Sequence, residues 1–212
     1  MKNYVLIIVL CITALSLWAE AADPLEGYLA SPGAQSFGEA VDYLNTVAQS
    51  SDNEVLCRIQ MLYIMNLESE RLIDGLLAES DSLNASQRFN LGNVLMGMEK
   101  LDQAVAIYEA INRDYPNWSC PWRHKGEAYY KMGEYEEAAA SLTQAIATNR
   151  DHVDAYIWMA YALNELGQYA EALQNLEYAL SLNPEDGGEH EDEEIADEQI
   201  QALLQELRER LQ

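Results

Sequence analysis

The strongest constraint on this 212-residue chain is a unit of 34 residues that is written three times in succession. Residues 85–118, 119–152 and 153–186 align without gaps, and the same kinds of residue fall in the same columns. Small residues recur in two columns: Gly92, Gly126 and Ala160 in column 8, and Ala104, Ala138 and Ala172 in column 20. A fixed period of this length is typical of a solenoid, in which each repeat packs only on its neighbours.

Each repeat is predicted to form two helices joined by a turn. Gly133 and Gly167 end the first helices of the second and third copies, because glycine tolerates the left-handed backbone that closes a helix. The second helices carry apolar residues at three- and four-residue spacing, as Ala138, Leu142 and Ala145 do. The small residues of columns 8 and 20 let the two helices approach closely, where a larger side chain would overpack the contact.

At these residues the chain resembles the tetratricopeptide repeat family. The third copy carries the resemblance at Tyr156, Met159, Ala160, Leu163, Ala172, Leu176, Ala179 and Pro184. Three residues depart from the family pattern: Arg88 replaces an aromatic residue in column 4, Lys125 an aliphatic residue in column 7, and Arg150 the proline in column 32. The resemblance implies an all-α fold, an α-α superhelix of antiparallel helix pairs.

The chain before the repeats is predicted to form a loop and then helices. Residues 22–36 are rich in proline and glycine, which favours a loop. Residues 37–84 carry three amphipathic segments, near positions 37–47, 55–63 and 72–77. Residues 51–84 are 34 residues long and in register with the repeats, but Arg58 and Glu70 occupy the columns of the small residues. We interpret this block as a degenerate repeat at the end of the stack, where atypical repeats are expected.

The composition becomes strongly acidic after the third repeat. Residues 187–194 are predicted to be an acidic linker, and residues 195–212 a helix that caps the last repeat. The apolar stripe of that helix consists of Ala196, Ile200, Leu203, Leu207 and Leu211. The alternative is that this helix detaches and docks on a partner or in the chain's own groove.

The first 21 residues have the pattern of an export signal. Lys2 precedes an apolar run, and the small-residue pattern at Ala19 and Ala21 predicts cleavage after Ala21. The apolar run is short for a membrane span, so an uncleaved anchor is the alternative interpretation. We therefore expect an exported protein of the bacterial periplasm, with anchoring or secretion as alternatives.

The charge of the chain argues against two classes of partner. The formal net charge is −24, and residues 22–184 alone carry 24 acidic and 9 basic residues. Binding to nucleic acid or anionic lipid requires clustered lysine and arginine, so we expect no nucleic acid and no membrane contact beyond the export signal. The columns of Cys57 and Cys120 place them two repeats apart, which predicts two free thiols with Cys57 buried.

The sequence contains no recognisable catalytic constellation. The three histidines, His124, His152 and His190, have no second ligand at a spacing typical of zinc sites. No phosphate-binding glycine loop or nucleophile elbow is present. We expect a non-enzymatic protein without cofactor or metal.

The family resemblance implies a concave groove that is lined by the first helix of each repeat. Transferred to this sequence, its candidate partner-binding residues are Phe89, Asn90, Asn93, Arg123, His124, Glu127, Tyr130, Trp158 and Tyr161. Some family members clamp a C-terminal carboxylate with positive charges. Here Asp154 and Trp158 occupy columns where those charges would be needed, which argues against such a clamp.

These observations predict an exported interaction module that binds a peptide segment or protein partner in the groove, as an envelope assembly or scaffold factor would. The alternative is a self-associating structural subunit of an envelope complex, which works through residues 51–84 or the terminal helix. The sequence determines neither the identity of the partner nor the oligomeric state.

Overall fold

The computed structural model describes residues 24–50, 54–182 and 197–212, and every regular element in these ranges is helical. The α-helices, in chain order, are α1 (Pro24–Ala30), α2 (Ala34–Ser50), α3 (Glu54–Ala78), α4 (Ala85–Gly97), α5 (Leu101–Asp114), α6 (Ser119–Met132), α7 (Tyr135–Thr148), α8 (Val153–Glu165), α9 (Tyr169–Ser181) and α10 (Asp197–Arg210). A short 3-10 helix, Ser80–Ser82, follows α3. The chain divides into an N-terminal unit, Met1–Asp81, and a C-terminal unit, Ser82–Gln212.

The N-terminal unit has its own core. The loop predicted for residues 22–36 is wrong, because much of this range is helical. Helix α1 occupies much of that range, with Leu25 and Tyr28 fully buried among residues of α2 and α3. Pro24 suits the first position of a helix, where the backbone amide has no helical partner in any case. The tertiary burial of Leu25 and Tyr28 therefore outweighs the loop signal of the local composition.

Helix α3 is one continuous helix of 25 residues, where the sequence predicted two. Column 15 of this block is Met65, whereas the second and third repeats have a glycine there that ends the helix. Glu68 also ties the middle of α3 to α1, since it accepts a hydrogen bond from the Tyr28 hydroxyl at 3.2 Å and one from Arg71 Nε at 2.9 Å. The interpretation of residues 51–84 as a degenerate repeat required a helix pair, and on this point it is wrong.

The C-terminal unit consists of three helix pairs in series and a final helix. Each 34-residue repeat forms one pair: α4 with α5, α6 with α7, and α8 with α9. The second helix of a pair contacts the first helix of the next, and the first helices α4, α6 and α8 contact one another in turn. Each repeat therefore packs on its neighbours, as the 34-residue period predicted.

The small residues of column 8 lie where the two helices of a repeat touch. A Cβ atom added to Gly126 would lie 2.5 Å from Leu142 Cγ and 3.2 Å from the carbonyl oxygen of Ala138. A Cβ atom added to Gly92 would lie 2.5 Å from the ring of Tyr108. Both distances are too short for a real contact, so the predicted close approach of the helices is confirmed.

In every repeat, the residue in column 15, in the turn between the two helices, has a left-handed backbone conformation. Gly133 has φ +80° and Gly167 has φ +73°, which confirms their predicted role as helix stops. In the first repeat this column is Glu99, which has φ +57° although it is not a glycine. The position in the repeat, rather than the residue type, therefore sets the backbone conformation.

Two of the three residues that depart from the family pattern, Arg88 and Lys125, are paired with a neighbouring helix. Arg88 donates to Asp114 Oδ2 at the end of α5, at 2.8 Å. Lys125 Nζ lies 3.5 Å from Glu109 Oε1 of α5 and 4.8 Å from the centre of the Trp122 ring. Polar and cation–π contacts thus replace the apolar contacts that the family pattern would supply at these columns.

Helix α10 packs on the last repeat. Ile200, Leu203 and Leu207 are buried as predicted, in the same cluster as Leu176 of α9. Leu204 is also buried, whereas Leu211 is exposed, so the apolar stripe ends one turn earlier than predicted. The predicted linker at residues 187–194 lies outside the described residues, as does Ala196.

Two smaller predictions concern the cysteines and the export signal. Cys57 is fully buried and Cys120 partly buried, and neither forms a disulfide, which confirms the predicted free thiols. None of the helices described is both long enough and apolar enough to cross a lipid bilayer. The predicted signal peptide, residues 1–21, lies outside the described residues.

Candidate functional site

The nine residues predicted to line the groove all lie on α4, α6 and α8, the first helices of the three repeats. We call the surface formed by these residues and their aromatic neighbours the groove face. Asn90 is exposed, and the others of α4 and α8 are partly buried: Phe89, Asn93, Trp158 and Tyr161. On α6, Tyr130 is partly buried, and the remaining three are buried: Arg123, His124 and Glu127. The groove face thus has a buried polar centre between two partly accessible ends.

One end of the groove face is an aromatic cluster, the first aromatic cluster, built around Phe89. The Phe89 ring centre lies 4.9 Å from that of Trp118 and 5.1 Å from that of His124. Tyr108 of α5 stacks on His124 at 5.6 Å, and its hydroxyl donates to Asn93 Oδ1 at 2.8 Å. Tilted and stacked ring pairs at these separations stabilise a packed surface beyond the apolar area they bury.

The buried centre of the groove face is a set of paired polar side chains on α6, Arg123, His124, Glu127 and Lys131, which we call the charge group. Arg123 is 7% exposed and donates to Glu127 Oε2 at 2.7 Å and to His124 Nε2 at 2.8 Å. Lys131, one turn further along α6, lies 2.8 Å from the other carboxylate oxygen of Glu127. Burial of charge is tolerated only when the charge is paired and hydrogen-bonded, as it is here. Arg123 therefore acts first as an internal partner of Glu127.

His124 is neutral in this arrangement. A guanidinium can only donate hydrogen bonds, so His124 Nε2 accepts from Arg123 and the ring proton is on Nδ1. Burial, and then the nearby charges of Arg123 and Lys131, lower the pKa of His124 well below its usual 6.5. The uncharged imidazole of His124 thus contacts both the charge group, through Arg123, and the rings of the first aromatic cluster.

The other end of the groove face is the second aromatic cluster, which consists of Tyr130, Tyr135, Trp158 and Tyr161. The Tyr130 ring centre lies 5.5 Å from Tyr135, 5.4 Å from Trp158 and 5.9 Å from Tyr161. Burial, followed by the charge of Glu165, raises the pKa of Tyr130 to about 12. The phenol therefore stays protonated and can donate a hydrogen bond at any physiological pH.

The structure also adds groove-face residues that the sequence reasoning missed. Trp118 lies in the turn just before α6, and Tyr108 and Tyr135 lie on second helices. The family groove columns cover only first helices, and none of these three residues lies on a first helix. An aromatic residue in the turn that precedes a first helix was the signal in the sequence that could have identified Trp118.

A concave feature also lies outside the groove face. A cavity of about 300 Å³ lies between α5 and α6 and is lined by Glu109, Asn112, Arg113, Trp122 and Lys125. None of the nine predicted groove residues lines it. Within the described ranges, no three histidine, cysteine, aspartate or glutamate side chains are grouped so as to hold a metal ion.

Comparison with known families supports the resemblance of the repeats to the tetratricopeptide repeat. Residues 88–117 and residues 124–187 each match a family model described as a tetratricopeptide repeat. A curated relative, "Translocon at the outer membrane of chloroplasts 64" of Pisum sativum, is 29% identical over 93 residues. That match covers 44% of this chain and only 16% of the relative's length.

Solved structures share the fold at lower identity. The Arabidopsis OM64 TPR domain has a TM-score of 0.52 at 19% identity, over 59% of this chain and 94% of that one. The first TPR domain of human RPAP3 has a TM-score of 0.52 at 22% identity, over 60% and 91%. The TPR2B domain of yeast Sti1, solved in a pHsp70 complex, has a TM-score of 0.53 at 22% identity, over 59% and 97%. These matches confirm the predicted all-α fold, a solenoid of helix pairs.

Proposed function

We propose that this chain is an exported, non-enzymatic interaction module that holds a segment of a partner protein against the groove face of its tetratricopeptide repeats. The observation that carries the proposal is the pair of aromatic clusters at the two ends of that face. Partly accessible aromatic rings beside hydrogen-bonding groups are the residues on which protein interfaces depend most. A protein of the same fold supports the proposal that the repeats bind a partner, since yeast Sti1 TPR2B was solved in a pHsp70 complex.

The charge group argues for a particular kind of segment. Arg123 is already paired with Glu127 and His124, so its charge is not available as the primary site for a free carboxylate. The accessible chemistry consists of the rings of Phe89, Trp158 and Tyr161 and the amides of Asn90 and Asn93. We therefore propose a partner segment with apolar or aromatic side chains and unpaired backbone groups, in preference to a terminal carboxylate.

The groove proposal is tested with a double variant and a matched control. Trp158→Ala combined with Tyr161→Ala removes two rings of the second aromatic cluster. Tyr178→Ala is the control, because Tyr178 lies on α9 outside the groove face and is 42% exposed. Each form is used as bait with the native envelope fraction, and the captured proteins are identified by mass spectrometry.

We expect the double variant to lose the partners that the unmodified chain and Tyr178→Ala retain. Circular dichroism must show the same helicity for all three proteins. Capture that is unchanged in a folded double variant would overturn the assignment of the site to the groove face.

Export is a separate part of the proposal and has its own test. The N-terminus of the protein from the periplasmic fraction is determined by mass spectrometry. A chain that begins at Ala22 would support a cleaved signal. A chain that keeps Met1 and stays in the membrane fraction would replace this with the anchored form.

A further inference from the structure

The charge of the C-terminal unit is unevenly distributed along the sequence. Residues 85–150 carry 8 acidic and 7 basic residues, whereas residues 151–207 carry 15 acidic residues and no lysine or arginine. The groove-face helix of the second stretch is α8, whose two charged residues, Asp154 and Glu165, are both acidic. A binding surface on this helix therefore lies in a negative environment, which attracts a cationic group.

Glu165 extends the second aromatic cluster. Trp158, Tyr161 and Glu165 follow one another on α8 at spacings of three and four residues, so their side chains lie on one stripe of the helix. All four rings of the cluster are partly buried, and Glu165 is exposed. Burial, and then the charge of Glu165, raise the pKa of Tyr130, whose ring centre lies 5.4 Å from that of Trp158. An accessible carboxylate thus adjoins partly accessible aromatic rings.

The described part of the chain supplies no cation to these groups. Within residues 24–50, 54–182 and 197–212, no lysine or arginine lies over a ring of the second aromatic cluster, and Glu165 forms no ion pair. Three cations on helices that contact α8 pair with other carboxylates: Lys131 with Glu127, Arg208 with Glu177, and Arg210 with Glu206. The rings and the carboxylate are therefore available to a cation from another molecule.

A ring and a carboxylate already hold an arginine elsewhere in the structure. The guanidinium carbon of Arg210 lies 4.8 Å from the centre of the Tyr169 ring, and Arg210 Nη1 donates to the Tyr169 hydroxyl at 3.0 Å. Arg210 Nε donates to Glu206 Oε1 at 2.9 Å. The second aromatic cluster and Glu165 offer the same two kinds of group. They add the indole of Trp158, the type of ring that attracts a cation most strongly.

We propose that the second aromatic cluster and Glu165 bind an arginine side chain of the partner segment. The arginine belongs to the segment that we place against the groove face, so the inference rests on the proposed function. A guanidinium is planar, so it can lie on the ring of Trp158 or Tyr161 and donate two hydrogen bonds to the Glu165 carboxylate. Glu165 is also the last residue of α8, and the partial negative charge at the end of a helix favours the same cation.

The test compares two peptides that differ in charge but not in shape. Acetyl-Gly-Leu-Arg-Leu-Gly-amide is titrated into the purified full chain, and so is the same peptide with citrulline, the uncharged analogue of arginine. Binding is followed by NMR through the indole N–H signal of Trp158, which is identified by its loss in Trp158→Phe. We expect the arginine peptide to bind about 10-fold more tightly than the citrulline peptide.

Glu165→Gln removes the charge of the carboxylate and keeps its shape. We expect this variant to bind the arginine peptide about 5-fold more weakly, while its affinity for the citrulline peptide stays the same. Glu171→Gln is the matched control, since Glu171 is an exposed glutamate of α9, and it should behave like the unmodified chain. An equal loss in both variants would mean that the net charge of the chain attracts the peptide, and would overturn the proposal.

Three further outcomes would overturn the arginine site. Equal affinity for the two peptides, lost when Trp158→Ala is combined with Tyr161→Ala, would rule out the arginine and leave the groove proposal standing. Binding of the arginine peptide that persists in this double variant would place the cation elsewhere on the chain. No change of the Trp158 signal with either peptide would show that these groups hold no such side chain. Failure of the groove proposal itself is measured separately, by capture from the envelope fraction.

Discussion

The first and second repeats share one backbone but assign opposite roles to arginine and an aromatic residue. In columns 4 and 5 the first repeat has Arg88 and Phe89, and the second has Trp122 and Arg123. Arg88 points to the end of its own helix pair, where it binds Asp114, and Phe89 joins the first aromatic cluster. Arg123 instead enters the groove face, where it binds Glu127.

The comparison shows that some columns are constrained by the backbone and others by the chemistry of the surface. The columns that fix the backbone are the same in both repeats, as Gly92 and Gly126 show by their contacts with the second helix. Columns 4 and 5 are free to differ between the repeats. One of these two adjacent positions lies on the groove face and the other lies on the outer side of the helix. The scaffold is therefore repeated while the chemistry of the surface is not.

The largest difference between the repeats is expected from removal of each arginine. Arg123→Met leaves Glu127 buried with only Lys131 as a charged partner, and we expect a loss of about 3 kcal/mol of unfolding free energy. Arg88→Met removes a pair whose Asp114 side chain is 48% exposed, and we expect a loss of about 1 kcal/mol or less. Urea denaturation followed by circular dichroism measures both. Equal losses would mean that burial does not distinguish the two arginines.

Replacement of the column 8 glycine by alanine should also cost more stability in the second repeat than in the first. Gly126→Ala places a Cβ atom against Leu142 and a backbone carbonyl, which cannot move aside, and we expect a loss of about 2 kcal/mol. The three atoms nearest to a Cβ atom added at Gly92 all belong to the Tyr108 side chain and none is a backbone atom, so Gly92→Ala should cost less. Gly97→Ala is the control, because nothing lies within 4 Å of its added Cβ atom, and it should be neutral or slightly stabilising. Thermal denaturation of the three variants gives the order.

The buried histidine makes the second repeat sensitive to acid. The pKa of His124 is lowered in the folded state, so below pH 6.5 the unfolded chain binds a proton that the folded chain does not. Stability should be constant above pH 6.5 as far as His124 is concerned, and should fall with decreasing pH by at most about 1.4 kcal/mol per pH unit. His124→Gln keeps an acceptor for Arg123 and removes the titration. The difference in unfolding free energy between pH 7.5 and pH 5.5 should be smaller in this variant, and an identical difference would contradict the assignment.

The smallest effect concerns the turn in column 15. Glu99 has a left-handed backbone, which costs a residue with a side chain about 1 kcal/mol relative to glycine. Glu99→Gly should therefore stabilise the first repeat by roughly 0.5 kcal/mol, after the greater backbone entropy of glycine is subtracted. Gly133→Ala in the second repeat should destabilise by about 1 kcal/mol, because its φ is +80°. A loss of stability in Glu99→Gly would mean that the Glu99 side chain has a role of its own.

The repeat columns allowed most of the C-terminal unit to be predicted from the sequence. The glycine contacts, the helix stops and the buried stripe of α10 follow from small residues and apolar spacing, which are local signals. For α3, the absence of a glycine stop at Met65 is visible in the sequence, but the contact of Glu68 with Tyr28, 40 residues away, is not. Long-range contacts of this kind leave no periodic trace in the sequence.

The family columns predict which helices carry the candidate residues, but not how those residues contact one another. The family columns placed nine candidate residues on α4, α6 and α8, but they did not indicate that Arg123, His124 and Glu127 contact one another. Whether a charged side chain on a groove helix is accessible or internally paired depends on distances of a few ångströms, which column positions do not resolve. Trp118 was missed for a related reason, since it reaches Phe89 from a turn.

The distribution of tryptophan has an optical consequence. Each aromatic cluster contains one tryptophan, Trp118 in the first and Trp158 in the second, whereas residues 22–81 contain none. The emission of a chain that starts at Ala22 therefore comes from the repeats alone, and once Trp122 is replaced its wavelength reports the polarity around the groove face. With Trp122→Phe as background, single-tryptophan versions would show which end of the face a bound segment covers, without any attached dye.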